Sequence, residues 1–178
     1  MKKAVLLNSS PHKDGFTQKL IDIFFEEFTG EVHTYNMYDE NFAPCIGCEE
    51  CEKLKHCFMH DMDNILSDIF SSNYIIFASP VYNYSFPSPM KAFLDRLQPY
   101  YSDEKEPPIC KGFLLVSCGK SGKFSIDVME KQSKIAFSEL SAYHCGCCYL
   151  PNTDNETTLQ PDFICKVKKL ASEFFLTT

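Results

Sequence analysis

Residues 3–30 read KAVLLNSSPHKDGFTQKLIDIFFEEFTG. Lys3 to Asn8 is a short apolar run without helical period that stops at a Ser-Ser-Pro turn, the pattern of a buried strand. A polar loop follows, and from Thr17 the apolar Leu20, Ile21, Phe24, Phe25 and Phe28 recur at three- and four-residue steps up to Gly30. That spacing predicts an amphipathic helix with a glycine stop. Strand, polar loop and helix in this order open a βα unit.

The unit repeats outward along the chain. EVHTYN (31–36) alternates as a second strand, and Asp61 is the expected cap of a helix carrying Met62, Ile65, Leu66, Ile69 and Phe70. YIIFAS (74–79) is apolar on both faces, as central parallel strands are. A helix over Met90–Leu97, a strand over Gly112–Ser117, a helix over Ser125–Leu140, a strand over Tyr143–Leu150 and a helix over Asp162–Leu176 complete the series. Five strands alternating with five helices predict an α/β fold: a doubly wound, five-stranded parallel sheet with helices on both faces. At 178 residues the flavodoxin-like order 2-1-3-4-5 suits the chain better than the longer six-stranded sheet. The chain is expected to form one domain over residues 1–178, with a cysteine-rich insertion loop at about 37–60. Ligands of such sheets bind at the carboxyl ends of the strands, so the loops after strands one, three and four matter most.

Composition narrows the partners. With 44% hydrophobic and 23% charged residues the chain is globular, and its net charge of -7 argues against nucleic-acid or anionic-membrane partners, which basic surfaces hold. The start, MKKAVLLNSS, has only four consecutive apolar residues against the roughly 7–15 of a signal-peptide core. No stretch approaches the ~20 apolar residues of a membrane span. A cytoplasmic protein is expected, in which thiols stay reduced and clustered cysteines serve metal or redox chemistry.

The loop after strand one, NSSPHKDGFT (8–17), places Ser9, Ser10, Thr17, Gly15 and a run of N–H groups before a helix N-terminus, which favours a phosphate. His12 is a further candidate donor. The loop is neither the dinucleotide G-x-G-x-x-G nor a P-loop; the same residues are also ordinary turn formers. After strand three, SPVYNYSFPSP (79–89) stiffens the sheet edge with prolines while Tyr82, Tyr84 and Phe86 offer flat faces for a planar ring, and Asn83 an amide for its polar edge. Phe86 reads more readily as core. After strand four, SCGKSGK (117–123) has Gly119 and Gly122 for close backbone approach and Lys120 or Lys123 for an anion.

Four of the ten cysteines fall in CIGCEECEKLKHC (45–57), with spacing C-x2-C-x2-C-x5-C. Cys45, Cys48, Cys51 and Cys57 suffice to ligate a [4Fe-4S] cluster without help from elsewhere, and the wide last gap without a following proline differs from the two-cluster ferredoxin run. Zinc held by the four cysteines and metal-free thiols are the alternatives. His144-Cys145-Gly146-Cys147-Cys148 lies on the fifth strand, where alternation separates Cys148 from Cys145 and Cys147; these read as core, and Cys110 and Cys165 as structural.

With these segments in place, the chain resembles the NADPH-dependent FMN reductase group of flavodoxin-like proteins and, within it, the iron-sulfur flavoproteins. Asn8-Ser9-Ser10-Pro11 through Gly15-Phe16-Thr17 resembles the family's phosphate loop; Ser79-Pro80-Val81-Tyr82 with Lys91-Ala92-Phe93-Leu94-Asp95-Arg96 resembles its S-P-V-Y and K-x-F-x-D-R stretches; Pro44-Cys45 to Cys57 and His60-Asp61-Met62 resemble its cysteine segment. The likeness covers roughly residues 1–125. It implies FMN with its phosphate on Ser9, Ser10 and Thr17, beside His12, Gly15 and Phe16, and its ring against Pro80, Val81, Tyr82 and Asn83. It further implies a [4Fe-4S] cluster on the four loop cysteines and a homodimer or homotetramer. Ser9, His12 and Phe16 stand where the family has Gly, Arg and Asn, and Cys118, where it often has Gly, falls beside the ring with Gly119. The expected function is an FMN-dependent oxidoreductase or electron-transfer flavoprotein, moving electrons from NAD(P)H or another small donor to a flavin or small acceptor. Chemistry is carried by FMN, not by a side-chain acid-base pair. The alternative is a non-enzymatic flavodoxin-like binding module, or a sensor using the cysteines as a zinc or thiol redox switch.

Overall fold

The computed structural model describes residues 1–101, 108–120, 122–155 and 158–176. Five strands, β1 (Lys3–Asn8), β2 (Glu31–Asn36), β3 (Tyr74–Pro80), β4 (Cys110–Ser117) and β5 (Ala142–Leu150), form one sheet in the order β2-β1-β3-β4-β5. Every neighbouring pair is parallel. The expected doubly wound architecture is therefore what the chain adopts. The helices are α1 (Phe16–Phe25), α2 (Glu50–Leu54), α3 (Asp63–Phe70), α4 (Ser88–Asp95), α5 (Lys123–Glu139) and α6 (Pro161–Leu176). A 3₁₀ turn, Gln98–Tyr100, follows α4.

Alternate residues of the central strands feed two separate cores. Val5, Leu7, Ile75, Phe77, Leu114 and Val116 pack with α3, α4 and α5 on one face, where Phe77 stacks on Phe137 at 4.3 Å between ring centroids. Ala4, Leu6, Ile76, Ala78, Phe113 and Leu115 pack with α1 and α6 on the other. Burial on both faces is why β1, β3 and β4 read as continuous apolar runs. β2, at the sheet edge, leaves Glu31 and Val32 exposed and half-buries Tyr35. Among the described residues no helix is long and apolar enough to cross a membrane.

Several expected details are corrected. α1 ends at Phe25, not near Gly30, because Phe28 packs from the following turn against Tyr74 and Phe175 and so continues the apolar spacing beyond the helix. α2 is a sixth helix inside the cysteine segment, too short for periodicity to reveal. Asp61 does not cap α3, whose N-terminal boundary residue is Met62 with no side-chain cap. On β5 a register shift opposite Gly112 and Phe113 leaves Cys145 between the partners His144 and Gly146, so simple alternation fails there. Cys145 is exposed, Cys147 packs against one core and Cys148 is buried in the other. Burial pushes the thiol of Cys148 up to about 11 and that of Cys147 up to about 12, which keeps both protonated and apolar. Cys110 is buried as expected, but Cys165 lies exposed on α6.

Candidate functional site

The loops after β1, β3 and β4 meet at the carboxyl edge of the sheet and are bonded to one another. Ser9 sends both its N–H and its hydroxyl to the Ala78 carbonyl, at 2.9 and 3.2 Å. The Val81 N–H donates to the Ser117 carbonyl at 2.9 Å, and the Thr17 and Ser117 hydroxyls lie 2.8 Å apart. Each loop is thus fastened to the other two. Ser9 and Thr17 are buried, their hydroxyls meeting Ala78 and Ser117. They hold the loop from behind.

Ser10 is the hydroxyl nearer the surface. Its N–H is held by the Asn8 side chain at 3.0 Å, and its oxygen accepts the His12 N–H at 3.2 Å. Pro11, His12, Lys13 and Asp14 are exposed, and Gly15 and Phe16 half-buried, with Lys19 over the Phe16 ring at 4.7 Å. α1 starts after Gly15 with no side-chain cap and no acidic residue in its first turn. First-turn N–H groups have no intrahelical acceptor, so this end of the helix favours an anion.

After β3, Tyr82 and Ser85 exchange two backbone hydrogen bonds of 3.0 Å around Asn83 and Tyr84, whose φ values are 47° and 66°. Left-handed backbone is ordinary for Asn and uncommon for Tyr. Tyr82, Asn83 and Tyr84 are exposed, Tyr84 meeting Phe124 edge-on at 6.1 Å. Pro80 and Val81 are half-buried, while Phe86 joins the core. After β4, the Cys118 thiol donates to the Lys120 carbonyl at 2.7 Å. The Asp154 carboxylate packs against the α-carbon of Gly119, in the space a Cβ would occupy. Asp154, from the loop after β5, is a group at this edge that sequence reasoning missed. The Gly122 N–H donates to the Tyr149 hydroxyl at 2.9 Å. Ser121, within the SCGKSGK segment, lies outside the described residues.

The four cysteines of residues 45–57 line one cavity of about 800 Å³, closed on its other side by Asp95, Arg96, Gln98, Pro99 and Tyr101. Cys45 and Cys48 are exposed, Cys51 and Cys57 half-buried. Left-handed backbone at Gly47, Glu49 and Lys55 turns the chain around α2. Among the described residues no three His, Cys, Asp or Glu groups are gathered closely enough to hold a metal ion. In chemistry the donor set nonetheless fits a four-thiolate site, since all four cysteines line the same cavity; among the described residues the buried Arg96 Nε has no acceptor. Arg96 had stood in the sequence only as the end of a motif. Its guanidinium donates to Asp61, to the Ala43 and Met59 carbonyls and to Cys57 Sγ. Asp61 also accepts the Ala43 N–H at 2.8 Å. Burial works against both charges, but the hydrogen bonds win, lowering the Asp61 pKa and raising that of Arg96.

Comparison with known proteins identifies relatives in sequence and in fold. An iron-sulfur flavoprotein of Archaeoglobus fulgidus is 33% identical over 102 residues, 55% of this chain and 46% of that one. An iron-sulfur flavoprotein of Methanosarcina thermophila is 33% identical over 94 residues, 51% of this chain and 49% of that one. The chain thus spans about half the length of the relatives it matches. In fold it is similar to an NAD(P)H:quinone oxidoreductase from Methanothermobacter marburgensis, with a TM-score of 0.78, 12% identity and coverage of 99% of this chain and 98% of that one. It is also similar to an FMN-dependent NADH-azoreductase from Bacillus anthracis, solved with FMN, with a TM-score of 0.70, 17% identity and coverage of 97% and 99%. Across residues 2–154 the chain matches the sequence model of NADPH-dependent FMN reductases, and it belongs to that family.

Proposed function

We propose that this protein is an FMN-dependent oxidoreductase that takes electrons from a reduced nicotinamide and passes them to a small acceptor. The observation that carries the reading is the uncapped N-terminus of α1, set at the carboxyl edge where three mutually bonded loops meet. In this reading the FMN phosphate lies on the Ser10 hydroxyl, His12 and the first-turn N–H groups beyond Gly15. The backbone carries most of the grip, as a chain of net charge -7 requires. Ser9 and Thr17 fix the loop to β3 and β4, so that those N–H groups are aimed before the phosphate arrives. Pro80, Val81, Tyr82 and Asn83 wall the ring, with Cys118 and Gly119 on the β4 side. Bound FMN supplies two-electron acceptance from a hydride donor and release of electrons singly.

The second part of the reading is a [4Fe-4S] cluster on Cys45, Cys48, Cys51 and Cys57, favoured by their common cavity and by the named relatives. A zinc or thiol module is the competing reading of the same loop. An absorption spectrum of protein purified without oxygen, with FMN, iron, sulfide and zinc counted per chain, separates them. One FMN with about four irons supports the whole proposal; FMN without metal removes the cluster; zinc without flavin overturns the redox reading. Ser10→Ala should weaken FMN binding about tenfold, as expected for a lost hydrogen bond to a charged group. Unchanged affinity would show that the phosphate is held elsewhere.

A further inference from the structure

We propose that Arg96 is the positioning residue of the cysteine site, one buried guanidinium that ties both stems of the loop to the end of α4 and hydrogen-bonds one ligand, Cys57. The inference rests on the reading that the four loop cysteines hold a cluster. Arg96 directly follows α4, and its side chain is 1% exposed. Nη1 donates to the Ala43 carbonyl at 3.0 Å and to Asp61 Oδ1 at 2.5 Å. Nη2 donates to the Met59 carbonyl at 2.7 Å and to Cys57 Sγ at 3.4 Å. Ala43 precedes the first cysteine, while Met59 and Asp61 follow the last. The loop's two ends are therefore joined through the Arg96–Asp61 pair, since Asp61 also accepts the Ala43 N–H at 2.8 Å.

Among the described residues no strand pairs with the segment between β2 and α3, and its helix α2 is only five residues long. A planar fork with several donors can satisfy a carboxylate, two carbonyls and a sulfur together; an ammonium on a flexible stem lacks that geometry. Two consequences follow for the cysteines. Among the described residues Cys57 is the one of the four whose sulfur accepts a side-chain hydrogen bond, so the four ligands are not equivalent. An N–H···S bond and a buried positive charge beside a cluster ligand favour the reduced, more negative state and raise its potential. Among the described residues the buried Nε of Arg96 has no acceptor, a donor left over from the four bonds of its fork.

The test compares wild type with Arg96→Gln, Arg96→Lys and Asp61→Asn, using FMN content to report an intact fold. Three quantities are read: iron and sulfide after anaerobic reconstitution, the cluster potential poised under EPR, and tryptic cleavage at the exposed Lys53 and Lys55 in metal-free protein. Arg96→Gln should be cleaved at least tenfold faster and should either lose the cluster or hold it at a more negative potential. Arg96→Lys should recover much of the potential and little of the protease resistance. Wild-type cleavage and wild-type potential in Arg96→Gln would overturn the proposal. If Arg96→Gln loses FMN as well, Asp61→Asn decides, since it keeps the guanidinium and removes only the anchor's charge. If wild type takes up no iron, the cluster reading falls by itself, and equal cleavage rates in metal-free wild type and variants would overturn the anchoring role separately.

Discussion

The loop after β1 and the cysteine loop both present binding groups, but they are held by opposite means. Residues 9–17 are fastened by short groups on adjacent strands: Ser9 to Ala78 on β3, and Thr17 to Ser117 on β4. Residues 43–61 are fastened by one ion pair, the Arg96 side chain reaching in from the end of α4 and Asp61, which also accepts the Ala43 N–H. The first arrangement follows from topology, because β1 lies beside β3 and its loop cannot avoid the neighbouring strand ends. The second depends on one ion pair. A site held by many weak, distributed contacts should lose strength gradually on substitution, whereas one held by a buried charge should fail abruptly.

The largest effect is expected from Asp61→Ala. It leaves the Arg96 guanidinium buried without its carboxylate, and such losses cost about 3 kcal/mol or more; urea unfolding of the metal-free protein would measure it. Next is Thr17→Val, which removes one buried hydroxyl pair and should cost about 1–2 kcal/mol, with weaker FMN binding as the loop loosens. Should Thr17→Val prove as damaging as Asp61→Ala, the contrast between distributed and concentrated anchoring collapses.

pH sharpens the same contrast. The Asp61 pKa is lowered in the folded state, so its contribution is fully present above the ordinary carboxylate value of about 3.9 and is lost only as pH falls through the lowered value. The cysteine loop's anchor should hold throughout neutral and alkaline conditions. The smallest effect concerns the edge strand β2, where His33 bonds Glu31 at 2.7 Å and Asp68 at 2.6 Å and has its pKa raised by them. That contribution is full below the ordinary histidine value of about 6.5 and fades as pH rises through the raised value. His33→Gln should flatten the drop in melting temperature over this range and leave the acid limb intact. A drop unchanged in the variant would assign the dependence to other groups.

How far the chain could be read differs between these regions for physical reasons. The order of strands and helices was legible because burial on both faces of β1, β3 and β4 leaves an apolar run that polar loops interrupt. The loop after β1 was legible as a segment because turn residues before a helix are local. Its individual roles were not, since Ser9 and Ser10 look alike in sequence while one is buried against Ala78 and the other lies nearer the surface. Asp61 looked like a cap because a carboxylate before a helix serves equally well as cap or as ion-pair partner, and its partner stands 35 residues away.

The parallel α/β architecture, the edge at which a ligand would bind and the cysteine spacing are all written in neighbouring residues, and reading along the chain was enough to find them. Long-range packing settled the rest: three loops bond to one another, Asp154 fills the space beside Gly119, a bulge turns Cys145 outward, and Arg96 joins both ends of the cysteine loop. Periodicity and turn chemistry record which way a residue faces along its own element. They carry nothing about which distant group it will meet, because that pairing is set by the burial of the two cores and by the hydrogen bonds that burial obliges the chain to complete.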